Sequence, residues 1–251
     1  MTLAMWTPEI IALVVATFLF AGFVKGVVGF GLPVVALALM APTIGIKAAI
    51  ALNTMPIIII NIWQAASGGN FLTITRRLWS FLLLAGACIW FGVSVLATVK
   101  SHLTSGALGA LLAVYAGYSL ARSQLRPPAD WEFVLNPVVG ALGGFVFGMT
   151  GSFMVPGVIY LQALGFNRNM LVQSLGISFL LISVVLTLSL SSHNLLDSKL
   201  GTLSAIMIVP ALAGMFVGQR FRHRLSEELF RKYFFWALLV SGLYMVLRVF
   251  V

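Results

Sequence analysis

Long apolar stretches alternate with short polar connections along the whole chain. Eight stretches approach or exceed the length needed to cross a hydrocarbon core of about 30 Å, which takes about 20 helical residues. They are 10–40, 48–66, 78–98, 103–121, 135–164, 171–191, 200–218 and 230–251. The pattern predicts an all-α polytopic membrane protein with about eight transmembrane segments.

The first and fifth stretches are longer than one straight crossing requires, and each contains a glycine-rich interruption that ends in proline. The first interruption reads Gly-Val-Val-Gly-Phe-Gly-Leu-Pro over 26–33, and the second reads Gly-Met-Thr-Gly-Ser-Phe-Met-Val-Pro over 148–156. Glycine and proline both destabilise the interior of a helix. The sequence therefore predicts broken helices or hairpins at segments 1 and 5.

The two interruptions resemble each other, which indicates an internal duplication. The pattern Gly-Phe-Val-x-Gly-x-x-Gly begins at Gly22 and again at Gly144, and Pro33 matches Pro156 after one inserted residue. Coincidence between two glycine-rich helices is the alternative. We interpret 1–122 and 134–251 as two transmembrane repeats, joined by a polar connecting loop at 123–133.

Composition and charge exclude a soluble protein and refine the topology. Only 8% of the 251 residues are charged and 61% are apolar, whereas a soluble domain has roughly a quarter charged. The net charge of +9 is interpreted as a topology signal in a chain of this hydropathy, and no nucleic-acid partner is expected.

If segments 1 and 5 are hairpins, ten basic residues lie on one side of the membrane and four on the other. The ten are Arg76, Arg77, Arg122, Arg126, Arg168, Arg220, Arg222, Arg224, Arg231 and Lys232. The four are Lys47, Lys100, Lys199 and Arg248. Because basic loops stay in the cytoplasm, this favours two inverted repeats with both termini on the outer side.

Broken helices in lipid expose unpaired backbone N–H groups, and helix N-termini attract anions. The sequence predicts a midplane anion site where two such ends face each other across a pseudo-twofold axis. The predicted residues at the two ends are Gly29, Phe30, Gly31, Thr150, Gly151, Ser152 and Phe153. Alternatively, the glycines serve only close helix packing.

Lys25 is the one charge embedded in the middle of an apolar stretch. A lysine there costs about 2.5–3.5 kcal/mol on insertion scales, which an anionic substrate could offset; snorkelling to the headgroups is the alternative. Asn53 on segment 2 and Gln173 and Ser174 on segment 6 are predicted to orient the anion. Hydrogen bonding between helices would equally explain these three polar residues.

The six carboxylates, Glu9, Asp130, Glu132, Asp197, Glu227 and Glu228, all fall in loops or at segment ends. This disfavours cation transport and carboxylate-coupled antiport, because no acid is available within a segment. Cys88 is the single cysteine, so no thiolate metal cage is expected. No catalytic grouping of residues is visible, and neither an enzyme activity nor a cofactor is predicted.

The paired motifs 21–31 and 143–152 make the chain similar to the TauE/SafE family of sulfite exporters, although Phe30, Ser152 and Phe153 interrupt a longer glycine run in many members. The resemblance covers nearly the whole chain. It implies secondary transport of sulfite, sulfonates or related small organic anions across the bacterial inner membrane. An anion channel or a non-transporting membrane assembly subunit stays open as an alternative, and the protein could form an oligomer.

Overall fold

The computed structural model describes residues 6–121, 129–221 and 227–250. Within these ranges the chain forms helices and connecting turns, without strands. The helices are α1 (Pro8–Val28), α2 (Leu32–Ile44), α3 (Ile46–Ala66), α4 (Phe71–Thr98), α5 (Ser101–Leu120), α6 (Glu132–Thr150), α7 (Ile159–Ala163), α8 (Arg168–Ser192), α9 (Ser198–Ile206), α10 (Ile208–Phe221) and α11 (Glu227–Leu247).

Eight helical spans in the described residues are long and apolar enough to cross a membrane, which confirms the predicted fold class. The first and fifth apolar stretches are each divided at the predicted glycine motif. In the first, α1 is followed by α2, and in the fifth, α6 is followed by the short apolar helical stretch Met154–Ala163. At 1.5 Å per residue, α2 is about 20 Å long and returns only partway across a hydrocarbon core.

Two glycine seams join helices that are distant in sequence. Gly22 and Gly26 of α1 lie against the backbone of α10, and α10 places Gly214 and Gly218 against α1. The corresponding glycines of α6, which lie against the backbone of α4, are Gly140, Gly144 and Gly148. A methyl group at any of these positions would overlap backbone atoms of the neighbouring helix. The contacts advance in the same direction along both partners, so each pair is parallel.

Hydrogen bonds between helix ends define two faces of the molecule. At the start of α3, Lys47 donates to the carbonyl of Ala97 near the end of α4 at 3.1 Å, and we call this the Lys47 face. Near the start of α4, Arg77 pairs with Glu132 at the start of α6 and donates to the carbonyl of Leu164 at 3.1 Å. We call this the Arg77 face.

Helices α1 and α6 run in opposite directions between these faces. Helix α8 begins on the Arg77 face and ends on the Lys47 face, where His193 contacts Ser94 of α4 at 3.1 Å. The chain then enters α9 and α10, so α10 ends on the Arg77 face. Because α1 is parallel to α10, α1 also ends there, whereas α6 begins there. The predicted termini and most of the connecting loop 123–133 lie outside the described residues.

The third helix occupies the centre of the molecule, where it contacts α2, α8 and α9. Pro56 cannot donate a backbone hydrogen bond, so it leaves the carbonyl of Leu52 without its usual partner. Ser204 of α9 fills this gap by donating to Leu52 at 2.8 Å and accepting from the N–H of Met55 at 3.1 Å. The buried polar residues Asn53 and Asn61 lie on either side of this proline.

Candidate functional site

The first break consists of three residues between α1 and α2. Gly29 ends α1 with φ 95°, and its N–H donates to the carbonyl of Lys25 at 2.7 Å. Gly31 precedes α2 with φ 105°. These left-handed conformations favour glycine strongly. A methyl group on Gly29 would meet no atom within 4 Å, so this position requires glycine for its backbone conformation rather than for space.

Lys25 lies one turn before this break and is buried, with 7% of its surface exposed. Its Nζ donates to Oδ1 of Asn61 at 3.0 Å, and Nδ2 of Asn61 donates to the carbonyl of Ile57 at 2.8 Å. Within the described part of the chain, Lys25 is the one charged side chain that is buried. Nζ of Lys25 is therefore held by a neutral amide, without a buried carboxylate in those ranges.

Asn53 lies in a different layer of the molecule from Lys25. It is 2% exposed, and its Nδ2 donates to the carbonyl of Pro33 in the first turn of α2 at 3.3 Å. Its Oδ1 has no hydrogen-bond partner among the described residues. Asn53 and Asn61 are eight residues apart on α3, about 12 Å along the axis. One small anion therefore does not touch both Asn53 and Lys25 in this conformation.

The second break has the same backbone cap as the first. Gly151 ends α6 with φ 73°, and its N–H donates to the carbonyl of Phe147 at 2.7 Å. Thr150 adds a side-chain cap, since its Oγ1 accepts from the N–H of Ser152 at 3.2 Å. The Oγ of Ser152 is fully buried and has no partner among the described residues.

Phe153 fills the second break with an aromatic ring. It is 1% exposed, and its ring lies 5.8–5.9 Å from those of Phe81, Phe147 and Phe179, each in an edge-on arrangement. Edge-on pairs at this separation are favourable for aromatic rings. The side chain of Phe153 therefore anchors the second break to α4, α6 and α8.

The two breaks are staggered. A methyl group on Gly151 would meet Ile50 of α3 and Leu37 of α2. Leu37 is six residues beyond Gly31, so the breaks differ in height by about 9 Å along α2. The two ends lie beside the shared helix α2 instead of directly opposite each other.

Gln173 and Ser174 are occupied by contacts within the protein. Nε2 of Gln173 donates to the carbonyl of Ala65 at 2.9 Å, and its Oε1 accepts from the N–H of Asn70 at 3.0 Å. The hydroxyl of Ser174 donates to the carbonyl of Leu171 at 2.8 Å. These bonds hold the end of α3 against the start of α8, and both amide atoms of Gln173 have a partner within the protein in this conformation.

The described residues contain eight helical spans of membrane length, and polar groups are buried at two breaks among them. These features define a multi-pass membrane protein. The family follows from comparison with known proteins. The chain belongs to the family described as Sulfite exporter TauE/SafE, whose model matches residues 14–245. This is a family of membrane transporters, not of enzymes. Comparisons with curated proteins and with solved structures found no match.

Proposed function

We propose that this protein is a secondary transporter that exports sulfite, a sulfonate or a related small organic anion by alternating access. Membership of the TauE/SafE family supports export of this class of anion. The anion binds in turn at two sites along α3, which we call stations. One is formed by Lys25 and Asn61, towards the Arg77 face, and the other by Asn53 and the second break.

The buried position of Lys25 carries the proposal. A lysine inside a transmembrane segment is costly unless it is paired, and such residues mark substrate pathways. Asn61 satisfies one of the three ammonium donors at 3.0 Å but brings no negative charge. A small anion supplies that charge, and the adjacent break gives it backbone room to approach.

Two inverted repeats, 1–122 and 134–251, provide the framework for alternating access. Support comes from the matching caps at Gly29 and Gly151 and from the opposite directions of α1 and α6. The equivalent pairs α1 with α10 and α6 with α4 also follow from a twofold relation. Inverted repeats of this kind are a common plan for secondary transporters.

Basic residues orient the protein in the bacterial inner membrane. Arg77 and Arg168 lie at the face that the positive-inside rule assigns to the cytoplasm, and Lys47 and Arg248 lie at the other. In this orientation both termini are outside. All six carboxylates fall in loops or near segment ends, so proton coupling most simply travels on a protonated substrate.

Flux through purified protein in liposomes tests this function. Wild-type protein should take up labelled sulfite with saturation and with acceleration by sulfite on the opposite side. Lys25→Met should lower this flux about tenfold or more, because a buried charge-assisted contact is lost. Lys47→Met is the matched control, since Lys47 binds a carbonyl at the Lys47 face.

Three outcomes separate the alternatives. Flux that neither saturates nor shows counterflow would indicate an anion channel. Absence of sulfite and sulfonate flux would overturn the transport proposal and favour a non-transporting subunit. Full flux in Lys25→Met would remove Lys25 from the pathway while leaving transport itself in place.

A further inference from the structure

We infer that the station formed by Asn53 and the second break, beside the start of α2, selects an oxyanion that carries its own hydrogen-bond donor. Oδ1 of Asn53 accepts the hydrogen bond from this donor. The inference rests on the proposed function and specifies the protonation state that the site accepts. Hydrogen sulfite fits this description. An oxyanion of the same shape without a proton does not.

Neighbouring contacts place the groups of this station together. Asn53 contacts Pro33 in the first turn of α2. Gly151 lies against Leu37, one turn further along α2, and against Ile50, about one turn from Asn53 along α3. The second break therefore lies within about one helical turn, or about 5 Å along the axis, of the Asn53 side chain.

The start of α2 supplies hydrogen-bond donors. The first intrahelical bond of this 13-residue helix runs from the N–H of Val35 to the carbonyl of Gly31 at 3.0 Å. The N–H groups of Leu32 and Val34 precede that bond, and no side chain caps the helix start. Together with the helix dipole, these groups favour negative charge.

Two buried side chains point independently to a ligand at this station. Asn53 and Ser152 are 2% and 0% exposed, and Oδ1 of Asn53 and Oγ of Ser152 have no partner among the described residues. Buried polar groups are rarely left unpaired in proteins. An unpaired amide oxygen and an unpaired hydroxyl, each within about one helical turn of the contacts that Gly151 makes with Ile50 and Leu37, suit a polar ligand that bonds to both.

The orientation of Asn53 favours a ligand that carries a donor, because Nδ2 has a partner in Pro33 whereas Oδ1 has none among the described residues. Because the carbonyl of Pro33 can only accept, the amide turns its Nδ2 towards Pro33 and its Oδ1 away. Oδ1 also only accepts, so it repels an anion oxygen that has no proton. A singly protonated oxyanion can donate to Oδ1 while another of its oxygens accepts from the hydroxyl of Ser152, and the positive end of the α2 dipole favours its negative charge.

Hydrogen sulfite and chlorate are a suitable pair of probes for this selection. Both are pyramidal monoanions with three oxygens, and only hydrogen sulfite carries a proton. We would measure a separate binding isotherm for each anion with wild-type protein in detergent, at mildly acidic pH. The expected result is that hydrogen sulfite binds about tenfold or more tightly than chlorate, the difference that one charge-assisted hydrogen bond provides.

Asn53→Leu, which keeps the volume and removes the acceptor, should bring the two affinities within about twofold of each other. Ser189→Ala is the matched control: Ser189 is another buried, unpartnered hydroxyl, but it lies near the far end of α8, and this variant should keep the preference.

Equal binding of chlorate and hydrogen sulfite by the wild type would overturn this inference, whether or not Asn53→Leu folds. A preference that survives in a folded Asn53→Leu protein would overturn the role of Asn53. If hydrogen sulfite binds and is transported without this preference, only the inference fails. If neither anion binds and no flux occurs, the proposed function fails with it.

Discussion

The two helix breaks have the same backbone cap but different surroundings. In each, a glycine with positive φ donates its N–H to the residue four positions earlier, at 2.7 Å. Gly29 is open on the side where a side chain would project, whereas Gly151 is packed against Ile50 and Leu37. The first break neighbours a buried lysine, and the second is filled by an aromatic ring.

The comparison shows that the glycine motif determines the backbone conformation at each break but not the side chains that surround it. The glycine spacing fixes the backbone path at both breaks. The residues between and after the glycines decide the chemistry: Phe30 and Gly31 follow Gly29, whereas Ser152 and Phe153 follow Gly151. We therefore call the first break, beside Lys25, the open break, and the second, which Phe153 fills, the anchored break.

The largest effect that we expect comes from removing the aromatic ring of Phe153 from the second break, the anchored one. Phe153→Ala should lower the free energy of unfolding by about 3–5 kcal/mol, because it leaves a cavity among three aromatic rings. Thermal or denaturant unfolding of the purified protein in detergent measures this loss. Transport per folded molecule should also fall, since this ring holds the second break against α4, α6 and α8.

Phe30→Ala is the counterpart at the open break. Phe30 is only partly buried, so its truncation should cost about 1 kcal/mol. If both variants lose equal stability, the two breaks are equally packed and the contrast between them is incorrect.

The second effect separates backbone conformation from space. Gly29→Ala should cost about 1–2 kcal/mol, the cost of placing an L side chain in the left-handed region. Gly151→Ala should add about 1–3 kcal/mol of overpacking to that cost, because its new methyl group meets Ile50 and Leu37. The same unfolding measurements compare them. A Gly29→Ala variant at least as unstable as Gly151→Ala would show that the first break is also tightly packed.

Much of the fold was predictable because it depends on local chemistry. Hydropathy located the eight spans, and the glycine motifs located both breaks. Helix α4 begins at Phe71, seven residues before the predicted start of its apolar stretch. In this additional stretch, Arg77 pairs with Glu132, which is 55 residues away, and hydropathy along the chain does not reveal such a tertiary contact.

The candidate site was less predictable because it depends on which helices meet. Lys25 stood out as a charge in an apolar stretch, but its partner Asn61 is 36 residues away and was not among the predicted site residues. The only signal for Asn61 was an amide on the same helix as Asn53. Gln173 has the same kind of side chain, yet it ties α8 to α3. Composition and spacing do not distinguish a polar residue that links two helices from one that binds the substrate.

The smallest effect tests a hydroxyl that only the second break possesses. Thr150→Val keeps the shape of the side chain, removes the acceptor for the N–H of Ser152 and removes the bond that the hydroxyl donates to the carbonyl of Val146 at 2.7 Å, so we expect a loss of about 1 kcal/mol. Val28 occupies the equivalent position before Gly29, and Val28→Thr offers the same hydroxyl to the open break. This reverse change should not raise the unfolding temperature, because Phe30 and Gly31 do not reproduce the turn that Ser152 and Phe153 make. Stabilisation by Val28→Thr equal to the loss in Thr150→Val would mean that the two turns are interchangeable.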